Sequence, residues 1–169
     1  MGYIEKAFDA LNDAEFTLDL LEECEGDKRH FRILFVACMT LLKTVGQVLV
    51  SKNVDPQIKK ISEDFFREQK NNKNEHKIYF EFIDREQGLI VHEYNTKLEE
   101  NDIEIVYKNG VNYSTFNFGD LYRPLVNDNI FNGQDVRDLI KEAIEWWKVQ
   151  LNSIKNKAEE LQYKSKTSA

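Results

Sequence analysis

Cysteine is nearly absent from this chain, with two in 169 residues, Cys24 and Cys38. Two thiols cannot build a disulfide framework or a four-ligand zinc site, and Cys38, inside an apolar run, reads as a small core residue. Proline is equally scarce and glycine stops at seven, which excludes collagen-like chains and low-complexity linkers. A membrane span needs about 20 mostly apolar residues. The most apolar stretch, residues 33–50, is broken by Thr40, Lys43, Thr44, Gly46 and Gln47 and reads as a buried helix. Other signals are missing too: a basic segment ahead of an apolar leader, a glycine-rich phosphate loop, a metal-spaced His/Asp/Glu cluster, and a nucleophilic Ser or Cys with its partners. The expectation is a cytoplasmic protein with no membrane partner, no metal and no cofactor.

What is present fits one domain over residues 1–169, with 41% hydrophobic, 12% aromatic and 31% charged residues. Such a length buries a core without covalent staples. The net charge of −7 speaks against broad binding to polyanions, yet it is unevenly placed. Residues 1–27 hold nine acidic residues and one basic, a sum of −8, so residues 28–169 sum to +1.

Helical periodicity dominates. Ile4, Ala7, Phe8, Leu11, Ala14, Leu18 and Leu21 recur at helical spacing over residues 3–24, opposite an acidic face. Residues 28–51 form a second helix, apolar on most sides, and the short connection predicts an antiparallel hairpin. Asp55-Pro56 starts a third helix running to about Gln69. After a loop at 70–74, a fourth is expected over about 75–98, with Ile78, Phe82, Leu89 and residues 91–94 around a partly buried face and a break at Gly88 left open. Then the period changes. Alternation over 103–108, Asn109-Gly110 and a polar-aromatic run to Phe118 predict a β-hairpin near 102–118. It should pack on the bundle or pair with a segment near 121–125. A last helix, 134–161, carries Val136, Leu139, Ile140, Ala143, Ile144, Trp147, Leu151 and Ile154 on one face. Trp146 and Trp147 point about 100° apart, so one is expected to be buried and the other, partly exposed, to cover the hairpin or to serve as an interface anchor, with the hairpin contact favoured. The fold class is mainly α: an antiparallel helical bundle over 3–98 and 134–161, with the hairpin inserted at 101–125.

One constellation carries chemistry. Arg85 and His92 stand seven residues apart, on nearly the same face of a helix and about 10 Å apart along its axis. A guanidinium fork fits phosphate oxygens, and imidazole exchanges a proton near neutral pH. Together they supply what metal-free RNA cleavage requires.

The stretch Arg85-Glu86-Gln87-Gly88-Leu89-Ile90-Val91-His92-Glu93-Tyr94 resembles the Arg-x4–6-His motif of HEPN domains, and in particular the Arg-x4–6-His-x-Tyr form of HepT-like toxins. The resemblance implies a dimeric helical bundle whose two motifs face each other. It implies a metal-independent RNA endonuclease of a toxin–antitoxin, CRISPR or phage-defence system, held by a nucleotidyltransferase-type antitoxin that modifies the motif tyrosine with AMP. By that resemblance Arg85 and His92 are catalytic and Tyr94 is the modification site. Glu86 departs from the family, which has Asn, His, Asp, Lys or Gln directly after the arginine. A carboxylate there is expected to repel an incoming phosphate, with Gln87 as the polar substitute in a shifted register. Gly88 predicts a bend or a close approach by another backbone.

The same residues also fit a structural role: Arg85 pairing with Glu81 or Glu86 at the surface, His92 hydrogen-bonded, Tyr94 in the core. His30 and His76 read as solvated. A second reading makes the chain a non-catalytic interaction protein that binds a protein partner through Asp9, Asp13 and Asp19 of its acidic first helix.

Overall fold

Asp27 and Asp55 set where two of the long helices begin. In the computed structural model the Asp27 carboxylate accepts from the backbone N–H groups of Arg29 and His30, each at 3.0 Å. Asp55 accepts from those of Gln57 and Ile58 at 2.8 and 3.3 Å. Each bond satisfies a donor that the first helical turn leaves without an intrahelical acceptor. Pro56 takes the first helical position, where its missing N–H costs nothing. The structure describes all residues except 1, 25–26, 97, 102–103, 110–111, 118–122, 127–128 and 168–169. Of 99–101, 104–109, 112–117, 123–125, 129 and 165–167 it describes the backbone alone.

The chain is mainly helical: α1 (Gly2–Glu22), α2 (Lys28–Leu49), α3 (Pro56–Asn71), α4 (Asp84–Glu93) and α5 (Val136–Thr167). α1 and α2 pack along one another, and α5 lies against α1, α2 and α3. Every apolar residue that the periodicity assigns to α5 is buried, as are Ile4, Ala7, Leu11, Ala14, Leu18 and Leu21 of α1. These are the plain three- and four-residue spacings of one helix face. Cys38 is in the core and its Sγ–H donates to the Ala14 carbonyl at 3.7 Å. α2 is long and apolar enough, by length and composition, to cross a membrane. Here it packs on α1, α3 and α4, with Phe31, Phe35, Met39 and Leu42 fully buried.

The fourth helical region departs from expectation. Instead of one helix over 75–98, a 3₁₀ turn (Lys73–Glu75) leads into a π-helical segment (Ile78–Ile83), followed by α4, which ends at Glu93. The backbone N–H of Asp84 donates to the carbonyl of Tyr79, five residues back, the bond that defines the wider turn. The buried line is therefore Ile78, Phe82, Glu86 and Ile90, while Val91 and Tyr94 are exposed and Leu89 is half-buried. The helix stops where Tyr94 adopts the left-handed conformation at φ 49°, its N–H returning to the Ile90 carbonyl at 3.0 Å.

Among the described residues four short strands form two antiparallel pairs. β1 (Leu98–Asn101) pairs with β4 (Arg123–Val126), Leu98 opposite Val126 and Asn101 opposite Arg123. β2 (Glu104–Asn109) pairs with β3 (Asn112–Asn117), from Glu104 opposite Asn117 to Asn109 opposite Asn112. Of the segment near 121–125, residues 123–125 meet β1, in a ladder separate from β2–β3, and 121–122 lie outside the described residues. Asn109 faces Asn112 across residues 110 and 111, so the two-residue connection starts one position later than Asn109-Gly110; both of its residues lie outside the described set. Of the tryptophans, Trp147 is fully buried. Trp146 packs on the π-helical segment, stacked on Tyr79 at 5.1 Å and donating from Nε1 to His76 Nδ1 at 3.2 Å. The side chains of the hairpin, which Trp146 is expected to cover, lie outside the described residues, while the bond from Trp146 makes His76 a half-buried, hydrogen-bonded residue instead of a solvated one.

Candidate functional site

α4 carries the Arg/His pair. With 100° per residue, Asp84, Arg85, Gly88, Val91 and His92 fall on one side of it and Glu86 and Ile90 on the other. Burial follows that division. His92 and Val91 are exposed, Arg85 is half-buried, and Glu86 is only 1% exposed. The carboxylate expected to repel a phosphate beside Arg85 is therefore turned into the bundle. Gln87 is half-buried at the flank of the helix. A methyl group built on Gly88 would meet nothing within 4 Å among the described residues, and α4 continues through it to Glu93. Between Arg85 and His92, Gly88 is half-buried and Val91 exposed.

Tyr94 stands just past the helix end, 66% exposed, instead of in the core. The Arg32 guanidinium of α2 lies 6.0 Å from its ring centroid. Among the described residues Tyr94 is the only non-glycine residue with positive φ, a conformation that costs a residue with a Cβ about 1–2 kcal/mol. Strain of this kind gathers at sites where a side chain must be presented in one direction.

A second group lies at the start of α4. Lys43, one of the residues that interrupts the apolar pattern of α2, ion-pairs with Asp84 across 41 residues of sequence. Its ammonium also lies 5.4 Å from the Tyr79 ring centroid. Burial works against the Lys43 ammonium, but the nearby Asp84 and Tyr79 side chains outweigh it and hold the pKa above the ordinary lysine value. Burial raises the Tyr79 hydroxyl, and the nearby Lys43 charge opposes that rise. Next to this group is a cavity of about 270 Å³ lined by Phe66, Lys70, Lys73, Tyr79, Phe80 and Asp84. Sequence reading missed this group. Its one available signal was a lysine in the middle of an otherwise apolar helix.

The acidic face of α1 is solvent-facing as its pattern implies. Asp9, Asp13 and Asp19 are exposed, and Phe16, 64% exposed, projects from the middle of them. Glu15, at the edge of that face, pairs with Lys148 of α5 at 2.8 Å. Among the described residues no group of three His, Cys, Asp or Glu side chains could hold a metal ion. No family model matches the chain, and neither the curated proteins nor the solved structures yield a match.

Proposed function

We propose that this chain is a HEPN-like, metal-independent RNA endonuclease of a toxin–antitoxin or phage-defence system, working as a homodimer, with the β2–β3 pair as an addition to the helical bundle. The observation that carries the reading is the solvent-facing side of α4, where Arg85 and His92 flank a bare Gly88 while Glu86 is turned inward. His92 takes the proton of a ribose 2′-hydroxyl or returns one to the leaving oxygen. The 2′-oxygen bonds to phosphorus as the P–O5′ bond breaks, leaving a cyclic phosphate and a 5′-hydroxyl. Arg85 stabilises the negative charge that gathers on the phosphoryl oxygens. The two residues are about 10 Å apart along one helix, a spread that suits a cleft shared by two copies. Tyr94 would accept AMP from a nucleotidyltransferase-type antitoxin through its exposed hydroxyl. The test is cleavage of single-stranded RNA by the purified protein in EDTA. His92→Ala should abolish it, and cleavage retained in that variant overturns the assignment.

A second reading has an observation of its own. Phe16, exposed among Asp9, Asp13 and Asp19, is the combination of apolar anchor and charged surround that suits a basic protein partner. On this reading the chain is a non-catalytic interaction protein. Charge reversal at the three aspartates, or Phe16→Ala, abolishes partner binding, and no RNA is cut at any protein concentration.

A further inference from the structure

The cavity at the start of α4 has a neighbour. A second depression of about 380 Å³ is lined by Lys70, Asn71, Asn72, Lys73, Asn74 and Glu75, and it shares Lys70 and Lys73 with the first. Two exposed ammonium groups thus stand between an aromatic chamber (Phe66, Tyr79, Phe80) and an amide-lined one. The aromatic rings are held in place. Phe66 lies over Tyr79 at 6.4 Å, Tyr79 meets Phe80 edge-on at 5.1 Å, and the Lys73 ammonium sits 5.3 Å from the Phe80 ring centroid. Asp84, the one carboxylate among the described residues of the aromatic chamber, is ion-paired with Lys43. Residues 67–77 carry four basic against two acidic residues in a chain whose net charge is −7.

From this juxtaposition we infer a binding site for single-stranded RNA. A base stacks on Phe80, which meets Tyr79 only edge-on and on which no other described ring stacks; the adjoining phosphate rests on Lys70 and Lys73, and the next base faces the asparagine amides. Sequence-tolerant strand binding uses this combination of π faces and cations, and amides offer donors and acceptors to base edges. The choice of RNA rests on the ribonuclease reading, and the site deepens it by placing the strand. Asp84 and His92 are eight residues apart on α4, so a strand anchored in the chamber passes His92 about 12 Å along the helix axis.

The test uses fluorescence anisotropy of a short fluorescein-labelled oligouridylate with the full-length protein in EDTA, in the His92→Ala background so that the strand stays intact. The double variant Lys70→Glu/Lys73→Glu should weaken binding about 10-fold or more, and should flatten the dependence of log affinity on log salt by about 0.7, for one phosphate of a single strand. Phe80→Ala should weaken it about 10-fold with the salt slope kept. Phe80→Leu, which keeps the apolar volume without a π face, should do the same with an unchanged melting temperature. A distant pair of the same charge change, Lys155→Glu/Lys157→Glu, should cost less than about 2-fold. Unaltered affinity in the Lys70/Lys73 variant, equal losses in the two double variants, or no RNA binding at all overturns the site. The two readings fail separately. RNA bound through Lys70 and Lys73 but never cut by the wild type sinks the ribonuclease alone, whereas RNA cut by a protein indifferent to Lys70 and Lys73 sinks this site alone.

Discussion

Two glycines inside helices, given the same extra methyl group, should respond with opposite signs. At Gly46 of α2 an added Cβ would stand 3.0 Å from Cη2 and 3.4 Å from Cζ2 of Trp147, and 3.3 Å from Cζ of Phe66. Carbon atoms prefer about 3.5–4.0 Å, so the ring of Trp147 must retreat by roughly 0.5 Å. It has nowhere to go. Trp147 is fully buried, with Phe66 at 6.2 Å, Tyr79 at 5.7 Å and Trp146 at 4.8 Å between ring centroids. Overpacking of this kind costs about 1–3 kcal/mol. The helix-propensity gain of alanine over glycine returns about 1 kcal/mol, leaving Gly46→Ala destabilised by roughly 1 kcal/mol. At Gly88 of α4 the new methyl meets nothing within 4 Å, so the propensity gain stands alone and the variant gains up to about 1 kcal/mol. For a domain of this size each kcal/mol moves the melting temperature by about 2–4 °C. Urea titrations followed by circular dichroism should show the two midpoints displaced to opposite sides of wild type with m-values unchanged. Gly46→Ala as stable as wild type would refute the packing around Trp147. Gly88→Ala has a second readout: a methyl between Arg85 and His92 should lower RNA cleavage even as it raises stability, and full activity in that variant would show that nothing approaches Gly88 closely.

Tyr94→Gly relieves the left-handed backbone at the end of α4 and should raise stability by about 1 kcal/mol, measured by the same titrations, while removing the proposed acceptor for AMP; a loss of stability would mean that the Arg32 contact outweighs the strain. Asp27 titrates below its ordinary value of 3.8, held down first by the His30 N–H, against burial, and further by the Arg29 N–H. A depressed carboxyl contributes stability above its unfolded value and loses it as pH falls through the folded one, so the loss belongs below pH 3.8. Asp27→Asn should lack that part of the acid dependence in melts at stepped pH, and an unaltered profile would refute the cap's role. Burial pushes the Cys38 thiol up to about 12 and also raises Cys24, where Asp27 adds to the effect. Neither should react with iodoacetamide in the native protein at neutral pH, and both should in guanidinium; rapid native labelling of Cys38 would contradict its place in the core.

The parts of this fold that could be read from residue order are those with one simple cause. α1 and α5 follow a single apolar period, and α3 follows an Asp-Pro start, so their buried faces and first turns could be named in advance. The parts that could not be read depend on residues far apart. Nothing in Leu98-Glu99-Glu100-Asn101 reads as a strand, because the segment pairs with β4 more than twenty residues later. Lys43 looked like a flaw in an apolar helix until Asp84 and Tyr79 came beside it. The candidate site was legible as a set of residue types, Arg85, His92 and Tyr94, but not as a surface. Its facing depends on how far the chain turns between Ile78 and Asp84, and residue order does not state that.

The turn decides which side chains meet solvent. Had the helix run from Ile78 with 100° per residue throughout, Phe82, Arg85, Leu89 and His92 would all fall within about 40° of Ile78. Ile78 and Phe82 are buried, so a regular helix would carry the arginine and the histidine into the core with them. The π-helical segment holds one residue more than the same length of α-helix and delays the rotation by about 100°. With that delay Glu86 and Ile90 turn inward, and Arg85, Gly88 and His92 turn out. The same wide turn sets Tyr79 and Phe80 at the mouth of the aromatic chamber and brings Asp84 to Lys43. One inserted residue therefore accounts for both the exposed Arg/His face and the lysine-flanked cavity beside it. Deleting a single residue within 78–83 should close the π turn, and should abolish strand binding and cleavage together in a protein that still folds as a helical bundle by circular dichroism. A deletion variant that folds and keeps either function would show that the exposure of α4 has another cause.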